Sequence, residues 1–393
     1  MSGTVSRKTS GARVWFVVHG WLALPIWAFL FVVCLTGSIA TVSQEIVWLA
    51  NPAVRANAPT ADARLLGYDD ILVAVERQEP GARVRFISRP VKSIFALTVA
   101  VTRPDGGSAR LYVNPYTGNI QGERGFDFSN FIRALHGWLL MPFSDGFPIG
   151  WYAVSALAIP LLGSLITGIV VYKRFWRVYL RPRLRLGKGR RIFWGDLHRL
   201  AGAWSIPFIA IMAVTASWFL VQAILSDNHI TISTAGVPPV VARGDVPVVA
   251  RGAPAPRITL EQAAEAVRAQ LPDLEPSFVQ LPGSAYRHIR VGGRGNYPLI
   301  FETVDVNPYN GKVERARRVS DRSALELVTS SMRPLHTGDF AGVWLKLVYL
   351  VFGLLLTTLI FSGMMVWTKR TAVETVKLVR ERASRRLELE AAE

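Results

Sequence analysis

Apolar positions along the chain follow two kinds of pattern. Four stretches are almost continuously apolar, running roughly from Trp15 to Val42, Ile149 to Tyr172, Leu200 to Leu225 and Ala341 to Trp367. Each reaches the about 20 residues that a helix needs to cross a bilayer, so the pattern predicts four membrane spans. Pro25, Pro160 and Pro207 lie inside them, which is tolerable where neighbouring helices satisfy the freed carbonyls. The first stretch is longer than the apolar part of a signal peptide and ends on no clear small-residue cleavage site, so it is read as a retained span. The segments between, 43–148 and 226–340, change period. In the first, YDDILVAVERQ has helical spacing and precedes the alternating runs RVRFIS, SIFALTVAV and ARLYVNPYTGNIQGE. In the second, ITLEQAAEAVRAQL precedes EPSFVQL, YRHIRVGG and PLIFETVDVNPYNGKVERA. Each segment therefore predicts one helix followed by antiparallel strands.

The two halves keep step. VNPYTG and VNPYNG are one hairpin written twice, with Pro, Asn and Gly supplying the turn. Asn114 and Asn307 differ by 193, Gly168 and Gly363 by 195, His136 and His336 by 200, and His19 and His198 by 179. Pro25 and Pro207, then Thr36 and Thr215, follow the last pair in the same order. Chance likeness between apolar helices accounts for one such coincidence, but not for the hairpins and the histidines together. Each half reads as span, outer segment, span, and the halves as parallel repeats about an axis along the membrane normal.

Charge orients the spans. Lys+Arg number 45 against 28 Asp+Glu, a formal net charge of +17, in a chain that is 50% hydrophobic; the pI is near 10.5 and the mean hydropathy +0.28. The basic residues cluster beside the apolar stretches: Arg7, Lys8 and Arg13 before the first, KRFWRVYLRPRLRLGKGRR between the second and third, and Lys369, Arg370, Lys377, Arg380, Arg382, Arg385 and Arg386 after the fourth. By the positive-inside rule both termini and the middle loop are cytoplasmic, and 43–148 and 226–340 lie outside. Charge placed this way excludes a nucleic-acid recognition face. The single cysteine, Cys34, excludes a disulfide framework, a CxxCH haem attachment and a Cys-based metal cluster; mid-span, it reads as packing.

Four of the six histidines sit at span ends. His19 is six residues beyond Arg13 and His198 seven beyond Arg191, so both lie roughly 9–10 Å inward of a basic anchor. His136 in ALHGWLLMP and His336 in PLHTGDFAG precede the second and fourth spans on the outer side. His19 and His136 belong to one half but to opposite faces. Each face thus receives one histidine from each half: His19 with His198 inside, His136 with His336 outside. Two imidazoles meeting across a helical bundle suit a b-type haem. Three other uses stay open: a hydrogen bond to a neighbouring helix, a metal site short of a third and fourth ligand, and a proton relay. Arg133 and Arg333, each three residues before an outer histidine, are candidates for haem propionates or plain interface anchors. Trp21, Trp138, Trp151, Trp204 and Trp344 are candidates for haem edges or for an interfacial aromatic belt. His229 and His288 have no mate in the first half and read as surface residues; Asp339 receives no role.

These features together, with the LHGW, DLHR and LHTGDF motifs, resemble the PepSY-associated transmembrane proteins, the iron-regulated membrane proteins that include ferric-siderophore reductases. The resemblance covers nearly the whole chain. It implies an integral membrane α-helical fold, a four-helix bundle built from two parallel repeats with two periplasmic α+β PepSY-like domains. The chain then divides into 1–48 (N-terminus and first span), 49–130 (first PepSY-like domain), 131–175 (second span with its histidine segment) and 176–197 (cytoplasmic loop). The second half follows as 198–226 (third span), 227–330 (second PepSY-like domain), 331–369 (fourth span with its histidine segment) and 370–393 (amphipathic cytoplasmic tail). The tail is expected to lie on the inner leaflet by its basic face or to dock a reductase.

The resemblance also implies two haem b groups in a bacterial inner-membrane protein that passes electrons to a ferric siderophore in the periplasm. The chain ends about 24 residues after Lys369, so the cytoplasmic donor, a reductase or quinol, is expected to be separate. Partners would then be the siderophore, that donor and the lipid bilayer, with no nucleic acid. Two other classes compete: a membrane-anchored binding or regulatory module without redox activity, and a transporter. A mere anchor has no need of histidine pairs, and the spans lack the paired carboxylates of a proton-coupled carrier.

Overall fold

The computed structural model describes residues 11–22, 24–89, 94–250, 255–367 and 369–390; Arg7 and Lys8 lie outside them. Four helical segments are long and apolar enough to cross a membrane: Arg13–Thr41, Ile149–Val171, Arg190–Asp227 and Gly342–Val366. The first is two helices, α1 (Gly11–Leu22) and α2 (Trp27–Thr41), joined by a 3₁₀ turn at Leu24–Ile26. Pro25 lies in that turn; it has no N–H to give, and its ring clashes with the carbonyl four residues back. A short α3 (Ser43–Ala50) leads outward.

The first outer segment then forms α4 (Tyr68–Gln78), β1 (Arg83–Ser88), β2 (Leu97–Thr102), β3 (Ser108–Val113) and β4 (Ile120–Glu123). Helix α5 (Phe128–Trp138) precedes the second span, which is α6 (Ile149–Ala156) and α7 (Ala158–Val171). On the far side come α8 (Phe175–Leu180) and the 38-residue α9 (Arg190–Asp227). Helix α9 starts ten residues before the apolar pattern does and carries Pro207 without a break. The amphipathic RRIFWGDLHR extends it, with buried Asp196 accepting from Arg185 at 2.8 and 2.9 Å and from Arg199. The second outer segment gives α10 (Leu260–Gln270), β5 (Glu275–Gln280), β6 (Ile289–Arg294), β7 (Phe301–Val306) and β8 (Val313–Arg317). Then follow α11 (Ala324–Thr337), α12 (Gly342–Val366) and α13 (Lys369–Glu390).

Inside the bundle α12 packs on α9 and α2, and α7 on α9 and α1. Small residues allow close approach: a Cβ on Gly353 would stand 2.5 Å from Ser38 Oγ. Leu30, Val33 and Leu157 are buried there, with Cys34 among the side chains packed around them. Ile159, Val214 and Val351 remain more than half exposed on the outside of the helices, an apolar surface suited to lipid.

The outer segments do not form two separate units. All eight strands make one antiparallel sheet in the order β4-β3-β2-β1-β5-β6-β7-β8, joined at the centre where Phe86, Ile87 and Ser88 of β1 face Gln280, Val279 and Phe278 of β5. Each half would otherwise leave an unpaired edge, and each covers the other's. Helices α4 and α10 lie over one shared core that includes Ile71, Val75, Ile87, Val99, Val267, Val279 and Val291. They also cap each other: the Asp69 carboxylate accepts from the N–H groups of Leu260 and Glu261 at 2.8 and 3.0 Å, and Glu261 accepts from Tyr68 N–H at 2.6 Å. These are orphan donors of helix N-termini, where negative charge is also favoured. The twin hairpins are Asx turns, Asn114 Oδ1 accepting from Tyr116 N–H and Asn307 Oδ1 from Tyr309 N–H.

Candidate functional site

The structure brings together the histidines that the spacing pairs. His19 of α1 faces His198 of α9, with ring centroids 6.3 Å apart and planes at 67°. His136 of α5 faces His336 of α11, with centroids 6.1 Å apart and planes at 29°. Helices α5 and α11 dip against the spans, so the second pair lies beside Val33 and Gly37 of α2 and Thr215 of α9. Along the unbroken α9, His198 and Thr215 are 17 residues apart, so the two pairs are separated by about 26 Å of helix rise.

Each ring is held by its Nδ1. His136 Nδ1 lies 2.9 Å from the Val33 carbonyl and His198 Nδ1 lies 3.1 Å from the Leu359 carbonyl. A carbonyl only accepts, so these nitrogens carry the hydrogen. His19 Nδ1 meets Thr167 Oγ1 at 2.9 Å, and that hydroxyl already donates to the Gly163 carbonyl at 2.7 Å. His336 Nδ1 meets Thr215 Oγ1 at 2.8 Å, and that hydroxyl donates to the Ile211 carbonyl at 2.7 Å. Both hydroxyls are thereby left to accept. All four rings are the Nδ1–H tautomer, which leaves a lone pair on every Nε2. Among the described residues, no hydrogen bond reaches any of the four Nε2 atoms. Outer-atom support of this kind fixes and orients histidines that ligate metal.

Glycines make room for the rings. A Cβ on Gly37 would stand 2.6 Å from His136 Cε1, one on Gly168 3.4 Å from His19 Cε1, and one on Gly363 3.2 Å from His198 Cε1. Thr167 and Ser362, each just before the last two glycines, both reach the supported nitrogens, Ser362 Oγ at 3.3 Å from His198 Nδ1. These hydroxyls were hidden in the sequence among ordinary small residues of apolar helices. The landmark Gly168 and Gly363 spacing was the signal that could have found them.

The donor set fits a haem. Two imidazoles on one iron, with bonds of about 2 Å and about 1.1 Å from nitrogen to ring centre, have centroids about 6 Å apart. Both pairs match that span. Among the described residues no group of three or more His, Cys, Asp and Glu could hold a bare metal ion, so each pair offers two imidazole ligands and no third side chain of those types.

The other candidates divide. Arg133 is half buried without a hydrogen bond or ion pair among the described residues; burial lowers its pKa, with Asp339 acting in the opposite direction. Arg333 is exposed. Trp151 stacks on Trp138 and packs against Phe219, which meets His336 at 5.1 Å. Trp21 donates to Thr375 of α13 and packs on Trp367, Trp204 stacks on Tyr179, and Trp344 is 78% exposed. Asp339 is not idle: its carboxylate and that of Glu45 flank the buried Lys346 at 3.3 and 3.0 Å. His229 is exposed at φ +58. His288 departs from the surface expectation: directly before β6, it is 8% exposed. Helix α13 meets α1 through acids, Arg13 pairing with Glu374 and Glu381 at 2.7 and 3.0 Å.

An uncharacterised protein of Pseudomonas aeruginosa is 27% identical over 261 residues, which cover 58% of this chain and 61% of the relative, so the match spans about three fifths of that protein's length. A family model of the PepSY-associated TM region matches residues 16–370. With four helices able to span a bilayer and that match over most of its length, the chain is a membrane protein and belongs to the PepSY-associated TM family.

Proposed function

We propose that the chain is an inner-membrane di-haem b protein that moves electrons from the cytoplasmic side to a periplasmic acceptor, a ferric siderophore, and so releases Fe(II). The observation that carries this reading is the pair of facing histidines at each level, with rings at bis-imidazole separation and lone pairs left on Nε2. His19 and His198 would hold the inner haem, and His136 and His336 the outer one. A bound haem supplies one-electron exchange between Fe(II) and Fe(III) in a low-dielectric setting. The chain's own residues do the rest. Thr167, Val33, Leu359 and Thr215 hold the Nδ1 hydrogens and so keep the Nε2 lone pairs available; the apolar bundle excludes water. Arg133, a half-buried cation beside the outer pair, suits a propionate. An Fe(III) chelate of hard oxygen ligands binds its metal far more tightly than the Fe(II) form does, so one electron frees the iron without consuming the chelator.

The palindromic strand order and the matched histidines support two parallel repeats, and the two outer α+β halves support PepSY-like domains placed in the periplasm. Basic residues at 173–191 and after 369 support cytoplasmic termini. The electron donor is a cytoplasmic reductase or quinol. A dithionite-reduced spectrum of the purified full chain tests the reading: b-type bands at two haems per chain support it, and a colourless protein removes it.

A further inference from the structure

Helix α13 holds α1, the helix that carries His19, with one of its faces. Arg13 pairs with Glu374 at 2.7 Å and with Glu381 at 3.0 Å, two acids about two turns apart on α13. Trp21 Nε1–H donates to Thr375 Oγ1 at 3.1 Å, and Trp21 meets Trp367 edge-on at 6.0 Å. Thr371 and Leu378, on the same face of α13, are buried, and a Cβ on Gly20 would stand 3.0 Å from Thr371 Cγ2. The support answers a weakness. Helix α1 is 12 residues long and is cut from α2 by the turn at Pro25, so the rest of the span does not fix its tilt; it packs on α7 and α13. The facing His198 sits instead in an unbroken helix of 38 residues.

The other face of α13 is apolar and uncovered. Val373, Val376, Val379 and Leu387 are all at least 49% exposed and fall within about a third of the helix circumference. Lys377 and Arg380 lie within or beside that arc and are exposed. The helix carries seven Lys and Arg against four Glu, and two of the four are turned on Arg13. Its position specifies the occupant. Helix α13 starts three residues beyond the end of α12 and lies along α1, itself part of an apolar span, so its free face continues the lipid-facing surface of the bundle. Valines there enter the acyl boundary, while Lys377 and Arg380 lay their stems along it and reach phosphate. We propose that α13 is a lipid-seated clamp: anionic phospholipid holds its apolar and basic face, and its acidic face holds α1 and with it the position of His19. The meaning of that position for an inner haem rests on the function proposed above; the clamp itself does not.

The test uses the full chain, with Cys34→Ala, in nanodiscs of phosphatidylcholine with and without phosphatidylglycerol. A bimane label on Val376→Cys should emit further to the blue when phosphatidylglycerol is present and should lose that shift at high salt. Gly20→Cys and Thr371→Cys together should cross-link, about tenfold faster with phosphatidylglycerol than without. Arg13→Glu turns two ion pairs into like-charge contacts and should slow the cross-link about tenfold; adding Glu374→Arg should restore most of the rate. In the haem-loaded chain the electron paramagnetic resonance signal of the inner haem should move in Arg13→Glu and return in the charge-swapped variant, with the outer signal unmoved throughout. Bimane emission that is the same in both lipids would overturn the proposal and leave a docked protein as the occupant of this face. So would a cross-link rate that Arg13→Glu leaves unchanged, or an unmoved inner signal in an Arg13→Glu chain that holds both haems. A chain that binds no haem removes the function proposed above, and the label and the cross-link then decide the clamp alone.

Discussion

At the scale of single residues, the histidines could be paired from spacing, but their supports could not. The numbers 179 and 200 pair His19 with His198 and His136 with His336, and the structure brings each of these pairs face to face. Nothing in the sequence tells Thr167 from the many hydroxyls that merely cap a turn within an apolar helix, because its role depends on which helix lies opposite. Thr167→Val should therefore weaken haem retention at the inner pair about tenfold, the lower end for loss of a supporting partner, with the outer haem unchanged; reduced spectra during haem titration measure both. Gly37→Ala drives a methyl to 2.6 Å from His136 and should empty the outer site alone. His198→Ala and His336→Ala should each halve the haem content; either variant with both haems spectrally intact would break the pairing. Buried Glu326 supplies the pH dependence. Burial raises its carboxyl pKa, but hydrogen bonds from Thr234 and charge-assisted bonding from Arg317 outweigh this and leave it lowered. Its folded value is thus below the ordinary 4.5, so its stabilisation is complete above that pH and is lost as pH falls through the folded value. Glu326→Gln should flatten the acid limb of a melting-temperature profile.

Elements were legible where their period was strong. The four spans, the helices at 68–78 and 260–270 and the twin NPY hairpins follow from periodicity and turn chemistry. The early start of α9 was not, because RRIFWGDLHR is polar enough to read as loop, and the closing of Arg185 and Arg199 on Asp196 depends on how the chain folds back. Nor was the fusion of the outer segments. Each looked complete because each carries its own helix and strands, and a strand pattern does not say which neighbour covers its edge. The mutual caps give this a measurable form. Asp69→Ala strips two charge-assisted bonds from the start of α10 and should cost about 1–2 kcal/mol; denaturant unfolding, followed by amide hydrogen exchange of Val99 in β2 and Val304 in β7, should show both halves melting together. Separate transitions would contradict the single shared core.

For the whole molecule, orientation is the claim on which the function depends. Fusing a periplasm-only reporter after Gly107 or Gly293 should give activity and after Gly187 none; an active Gly187 fusion would exchange the inner and outer pairs. In vesicles with the outer face exposed, chemically reduced protein should be reoxidised by a ferric siderophore, with Fe(II) appearing only on that side, and removal of His136 or His336 should stop it. Protein that keeps its reduced spectrum beside a range of ferric siderophores would leave an anchored binding module as the better account. The sheet also sets a timetable for biosynthesis. Strand β1 emerges about 190 residues before its partner β5, so for much of translation, and through the insertion of two further spans, a nascent chain exposes that edge to every other chain nearby. Both seam strands are guarded against this: β1 carries Arg83 and Arg85 with a register break between Val84 and Phe86, and β5 carries Pro276 with a break before Phe278. Charge, proline and irregular pairing are the features that keep a waiting strand from aggregating, so the seam is built to stay soluble first and to close late.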